Sequence, residues 1–156
     1  MAGNKRNSIL VRLFHRYLDD VKPARFAMDV ANSYSIATIT RIAQAGQVHE
    51  RRAAILALTF LGDYTNNAVF GRALLDEDRG VRMLAEDGVR EIWSRAGNID
   101  EQHKLAKLKR LNDGGMFTKS KELAADLCDA SPRYAEAWNQ LGISQFFNGE
   151  VESAIY

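Results

Sequence analysis

Apolar residues recur at helical spacing along the whole chain, and no stretch alternates apolar and polar positions as a half-buried strand would. Ile9, Leu10, Leu13, Phe14, Tyr17 and Leu18 fall at steps of three and four, with Arg12 and Arg16 opposite, which predicts an amphipathic first helix. Pro23 is placed to open a second helix with Phe26, Met28 and Val30 apolar, running to about Asn32. Ser35 offers an N-cap for a third, carrying Ile36, Ile39, Ile42 and Ala43 and stopping near Gly46. From about 48 to 61 the chain is apolar nearly all round, and a helix without a polar face needs neighbours on several sides. Gly62 is placed to end it in a left-handed conformation, with Asp63 beginning the turn. Asn66 or Asn67 then caps a short helix holding Ala68, Val69, Ala73, Leu74 and Leu75. Asp78 caps another from 79 to about 95, with Val81, Leu84, Ala85, Gly88, Val89 and Ile92 inward. Residues 1 to 6 are polar and are predicted to fray.

Within this helical pattern the segment 50–63 returns thirty-one residues later as 81–93, with Arg51 and Ala54 recurring as Arg82 and Ala85. Units of this size cannot bury a face alone, so they stack on their neighbours. The expected fold is all-α, a helical-repeat superhelix of antiparallel helix pairs, and the expected work is holding other molecules rather than transforming them. Gly97-Asn98 breaks the first pattern, and different punctuation follows: Gly114-Gly115, Pro132, Ala137-Trp138, Leu141-Gly142, Gly149 and Ala154. This predicts two segments, 7–97 and 98–156.

The residues carry two family resemblances. Arg51, Ala54, Ala57, Leu58, Leu61, Gly62, Asp63, Ala68, Ala73, Leu74, Asp76, Asp78, Val81, Arg82 and Ala85 resemble HEAT repeats of the bacterial, phycobilin-lyase-like type, with Glu50 and Thr59 departing from that pattern. The second segment resembles tetratricopeptide repeats: Trp138, Leu141-Gly142, Gly149 and Ala154 fall at that family's places, and Gly115 lies one thirty-four-residue unit before Gly149. Its first unit departs at Leu108, Ser120 and Ala124. The final helix would have only one turn at Tyr156, too little to cover Trp138 and Phe146, so further residues beyond the 156 are expected.

The resemblances imply where a partner would sit. HEAT units line their concave surface with the second helix, which points to Arg82, Glu86 and Arg90; tetratricopeptide units use the first helix, which points to Asn139, Ile143 and Phe146. Ile143 stands at a place that is usually polar in members gripping a carboxylate, so a protein or peptide with an apolar anchor is the expected ligand. In HEAT proteins the repeated arginine commonly pairs with a nearby aspartate, which implies a structural role for Arg51 and Arg82, with Asp76 and Asp78 available to the latter. The repeat subtype also raises bilin-lyase or chaperone-like activity, although fold analogy alone is a poor warrant for it.

Composition narrows the alternatives. With 21 basic and 20 acidic side chains the chain exerts no general attraction for nucleic acid. The one charge feature singled out is Lys5, Arg6, Arg12 and Arg16 without an acid, which, with the HEAT arginines, defines nucleic-acid binding as the competing hypothesis and makes lipid contact by residues 9–18 a further one. Cys128 is the only cysteine, which predicts a buried thiol and a reducing compartment, and no apolar run is long enough for a membrane span or a signal-peptide core; the cytoplasm is the expected location. His15, His49 and His103 have no ligand-type neighbour at metal-binding spacing, and Asp76-Glu77-Asp78 lacks the glycine and distal glutamate of a calcium loop. No catalytic, cofactor or metal site is predicted.

Overall fold

The computed structural model describes residues 8–155, so Lys5 and Arg6 of the predicted basic cluster lie outside the described residues. Among those described, the chain is all-helical and contains no strand. It divides into two compact units, one ending at Ile92 and the other beginning at Trp93.

In the first unit, α1 (Ile9–Asp20), α2 (Pro23–Ala31) and α3 (Ile36–Ala45) all contact α4 (Val48–Leu61). This arrangement explains why α4 lacks a polar face: Ala53 through Thr59 are all buried. Tyr17, Phe26 and Phe60 form a three-ring cluster with centroids 5.3 to 6.1 Å apart. A 3₁₀ turn (Tyr64–Asn66), α5 (Asn67–Ala73) and α6 (Arg79–Ser94) follow, the last two residues of α6 belonging to the second unit. The predicted caps form: Ser35 accepts from the Thr38 N–H, and the Asp78 carboxylate accepts from the Val81 N–H at 2.9 Å.

Several expectations are corrected. Gly62 is extended, with φ −79° and ψ 172°; its N–H bonds to the Leu58 carbonyl, and a Cβ there would lie 2.6 Å from that oxygen and 2.7 Å from Asn66 Oδ1. Glycine is needed there for space, not for handedness. Asn66 does not cap α5 with its side chain; its Oδ1 accepts from the Asp63 N–H, closing the 3₁₀ turn instead. Ile9, Leu18, Met28, Leu74 and Leu75 are exposed, whereas Val11 and Phe70, absent from the predicted apolar sets, are buried.

The two similar segments, 50–63 and 81–93, share one local feature. Helices α4 and α6 begin at equivalent residues, Val48 and Arg79, and in each the repeated arginine reaches back five residues to a carbonyl: Arg51 Nη1 to Gly46 O at 3.1 Å, Arg82 Nη1 to Glu77 O at 2.9 Å.

The second unit contains α7 (Ile99–Asp113), α8 (Phe117–Ala130), α9 (Ala135–Phe147) and α10 (Val151–Ile155). Asn98 and Glu101 make a reciprocal capping box at the start of α7. The core is Leu105, Leu108, Ala124, Leu127, Cys128, Tyr134 and Ala137. Helices α7 and α9 end in the same way, thirty-four residues apart. Gly115 and Gly149 have φ 69° and 83°; Met116 N–H bonds to Leu111 O as Glu150 N–H does to Gln145 O, and Gly115 N–H to Asn112 O as Gly149 N–H does to Phe146 O. Each is a Schellman stop, in which positive φ at glycine satisfies carbonyls that would otherwise be orphaned. At Gly142 a Cβ would lie 3.4 Å from the Ala154 carbonyl oxygen, an ordinary contact, so the α9–α10 approach leaves room for a methyl group there.

Candidate functional site

The expected partner-binding residues fall into two sets, one in each unit. On α6, Arg82 does not pair with the carboxylates of Asp76 or Asp78. Its Nη1 donates to the carbonyls of Asp76 and Glu77, at 2.7 and 2.9 Å. The carboxylates are held by α4: Arg51 forks onto Asp76 with two bonds of 2.8 Å, and Arg52 onto Asp78 with bonds of 2.7 and 2.6 Å. The Arg52 fork has no signature in residue spacing, and Gly80 is its local sign, because a Cβ there would lie 2.6 Å from Arg52 Nε. Glu86 and Arg90 pair at 2.7 Å, with both side chains more than half exposed. That i,i+4 pair is worth a few tenths of a kcal/mol, roughly 0.3–0.5.

The Arg51–Asp76 pair is much less exposed, 14% and 13% at the two side chains. Its guanidinium holds the Asp76 carboxyl below the usual carboxylate range, and the Arg52 guanidinium holds Asp78 further below it. A depressed folded-state pKa contributes stability that is present above the unfolded value and is lost as pH falls toward the folded one. The urea midpoint is therefore expected to hold from neutrality to about pH 5 and to decline steadily below about pH 4, where free carboxylates protonate. In Arg51→Met the decline should be shallower. A native midpoint flat down to pH 2.5 would show that these forks do not stabilise the fold.

In the second unit, Asn139 is half-buried and donates to Glu136 Oε2 at 3.2 Å, Ile143 is half-buried, and Phe146 is 55% exposed and meets Phe147 edge-on. The thirty-four-residue register gives these positions a meaning. Asn139 and Phe146 correspond to Leu105 and Asn112, both buried, and Asn112 Nδ2 bonds to Gln140 Oε1 at 2.8 Å. Asn139 and Phe146 thus stand on α9 at the places of two residues buried on α7, and Ile143 at the place of Lys109. Phe147 is 61% exposed and stacks on Phe117 at 4.9 Å, which makes the exposed end of α9 aromatic.

A polar network not foreseen in the sequence joins α7 to α9. Glu136 is 1% exposed and is held by Lys109 Nζ at 3.4 Å and Gln140 Nε2 at 3.0 Å; Lys109 also donates to Ser94 Oγ at 2.8 Å. Its members partner one another and fix the register of the two helices. An open cavity of about 390 Å³ lies beside Gly97, Glu101, Ser131, Arg133 and Tyr134, but Glu101 already accepts from Ser131 and the Asn98 N–H, and Tyr134 donates to the Ser94 carbonyl. Burial pushes the Cys128 thiol up to about 11 and the Tyr134 phenol up to about 12, so both are held protonated at neutral pH.

The histidines are less scattered than their spacing implies: His15 and His49 meet edge-on, with centroids 6.2 Å apart. Among the described residues no three His, Cys, Asp or Glu side chains gather as a metal site would require, and no helix is long and apolar enough to cross a membrane. Of the basic residues assigned to nucleic-acid or lipid contact, Arg16 pairs with Asp29, and Arg51 and Arg82 are engaged as described. Comparison with protein-family models, with curated proteins and with solved structures finds no match.

Proposed function

We propose that the chain is a non-catalytic interaction scaffold, a helical-repeat superhelix of HEAT-like units to residue 97 followed by tetratricopeptide-like units, which holds a protein or peptide. The observation that carries this reading is the recurrence of contacts at two fixed steps. The arginine-to-carbonyl bond repeats after thirty-one residues and the Schellman stop after thirty-four, as expected of stacked units and not of an irregular helical bundle. The acids and arginines at the repeat junction are engaged with one another, which favours binding over chemistry. The exposed aromatic end of α9, with Phe146 and Phe147, suits a partner with an apolar anchor.

A photo-crosslinking amino acid placed at Ile143 or Phe146 is expected to give a discrete adduct with a cellular protein. The same group at Met28, exposed on α2, should give none. Equal labelling from all three positions, or none from α9, would remove the proposed surface.

A further inference from the structure

Between Gln102 and Asn112 the chain has four cationic side chains, one histidine and no acid, a cluster that the near-neutral total conceals. Helix α7 sorts these groups. Lys109 turns inward to Ser94 and Glu136, while His103, Lys104, Lys107 and Arg110 are exposed. At 100° per residue, His103, Lys107 and Arg110 lie within about 60° of one another with Lys104 beside them, a stripe about 10 Å long. Four arginines elsewhere have carboxylates opposite them: Arg51 and Arg52 have Asp76 and Asp78, Arg25 has Asp20 and Asp29, and Arg90 has Glu86. On α7 the acids stand only at the two ends, Asp100 and Glu101 in the first turn and Asp113 three residues beyond Arg110, and Glu101 is engaged by Ser131 and the Asn98 N–H, leaving Lys104 only a weak neighbour.

Thirty-four residues on, the same face of α9 carries Ala137, Leu141 and Ser144, which pack inside the unit. The corresponding positions of α7 are exposed and cationic, so a face that is packed on α9 is open on α7.

We propose that this stripe docks an acidic helical segment of a partner protein, with carboxylates at i, i+3 or i+4 and i+7 facing Lys104, Lys107 and Arg110. Charge complementarity names the occupant, and the short length of the stripe selects a helix over a polyanion. Nucleic acid gains affinity by neutralising many phosphates along a track, and a net charge of +1 with so short a stripe offers little of that. The proposal goes beyond the scaffold reading, since it concerns α7 and not the aromatic end of α9; its failure would leave the crosslinking outcome untouched.

The probe is a fluorescein-labelled, alanine-rich fourteen-residue peptide with glutamates at positions 3, 6, 7 and 10, titrated with the full chain by fluorescence anisotropy. Binding at low salt is expected to weaken about tenfold or more between 20 and 200 mM salt. The variant Lys104→Gln/Lys107→Gln/Arg110→Gln should lose about tenfold, Lys107→Glu alone about fivefold, and a control variant at exposed Arg12, Arg41 and Arg72 less than about twofold. A peptide of the same composition with its glutamates spread around the helix should bind more weakly. The proposal is overturned if the α7 and control variants bind alike, if the scrambled peptide binds as well, or if a ten-nucleotide single strand binds more tightly through the same residues.

Discussion

Arg51→Met is expected to lower the stability of the protein by about 3 kcal/mol, the low end of the range for removing one partner from a buried ion pair. The side chain bonds with Asp76 through both Nε and Nη2, with Glu77 and with the Gly46 carbonyl, so its loss leaves a largely buried carboxylate with only the Asp78 N–H as donor and takes a donor from a helix-end carbonyl. Arg82→Met removes a guanidinium from the equivalent position and should cost distinctly less, about 1 kcal/mol, because only carbonyls lose a donor. Arg51→Met/Asp76→Leu should recover much of the single-variant loss, since two apolar groups replace two charges. Urea denaturation of the four proteins decides the matter. Equal losses at Arg51 and Arg82 would mean that the fork from α4 to the turn before α6 adds nothing to the bond both arginines share.

The second large effect is at Gly88. A helix-interior glycine normally gives way to alanine with a gain of about 1 kcal/mol. Here a Cβ would lie 2.5 Å from Thr59 Oγ1 and closer still to the Phe70 ring, which is fully buried. Neither neighbour is the free end of a flexible chain, so α6 would have to move away from α4 and α5. Gly88→Ala is therefore expected to destabilise by about 2 kcal/mol and Gly88→Val by about 3 kcal/mol. Gly71 in α5 provides the opposite case: it has open space around its would-be Cβ, and Gly71→Ala should stabilise by about 0.5–1 kcal/mol. A thermal or urea melt in which both alanine variants moved the same way would show that the packing at Gly88 is looser than its geometry states.

What could be read in the sequence and what could not divides along a physical line. Helix positions follow from local signals: Pro23 opening α2, Ser35 and Asp78 capping α3 and α6, and glycines where helices stop. Partners are not local. The sequence places Asp76 and Asp78 near Arg82, six and four residues away, whereas each aspartate has an arginine about twenty-six residues earlier. An apolar residue at helical spacing says which face it is on, but not whether anything covers it; hence Leu75 is 87% exposed while Phe70 is fully buried. The network of Lys109, Asn112, Glu136 and Gln140 was illegible for the same reason, its members being ordinary polar residues until two helices bring them together. The candidate site residues lie on the expected helices, but matching Asn139 and Phe146 to Leu105 and Asn112 required the backbone bonds of both helix stops.

The two guanidinium forks make the covalent link between α5 and α6 partly redundant. Arg51 and Arg52 clasp Asp76 and Asp78 from the far side of the turn, and Leu74 and Leu75 just ahead of them are exposed. A protease nick or an inserted loop between those leucines would leave the neighbouring segments fastened side chain to side chain. In evolutionary terms, this is where the chain has room to lengthen without letting go of itself.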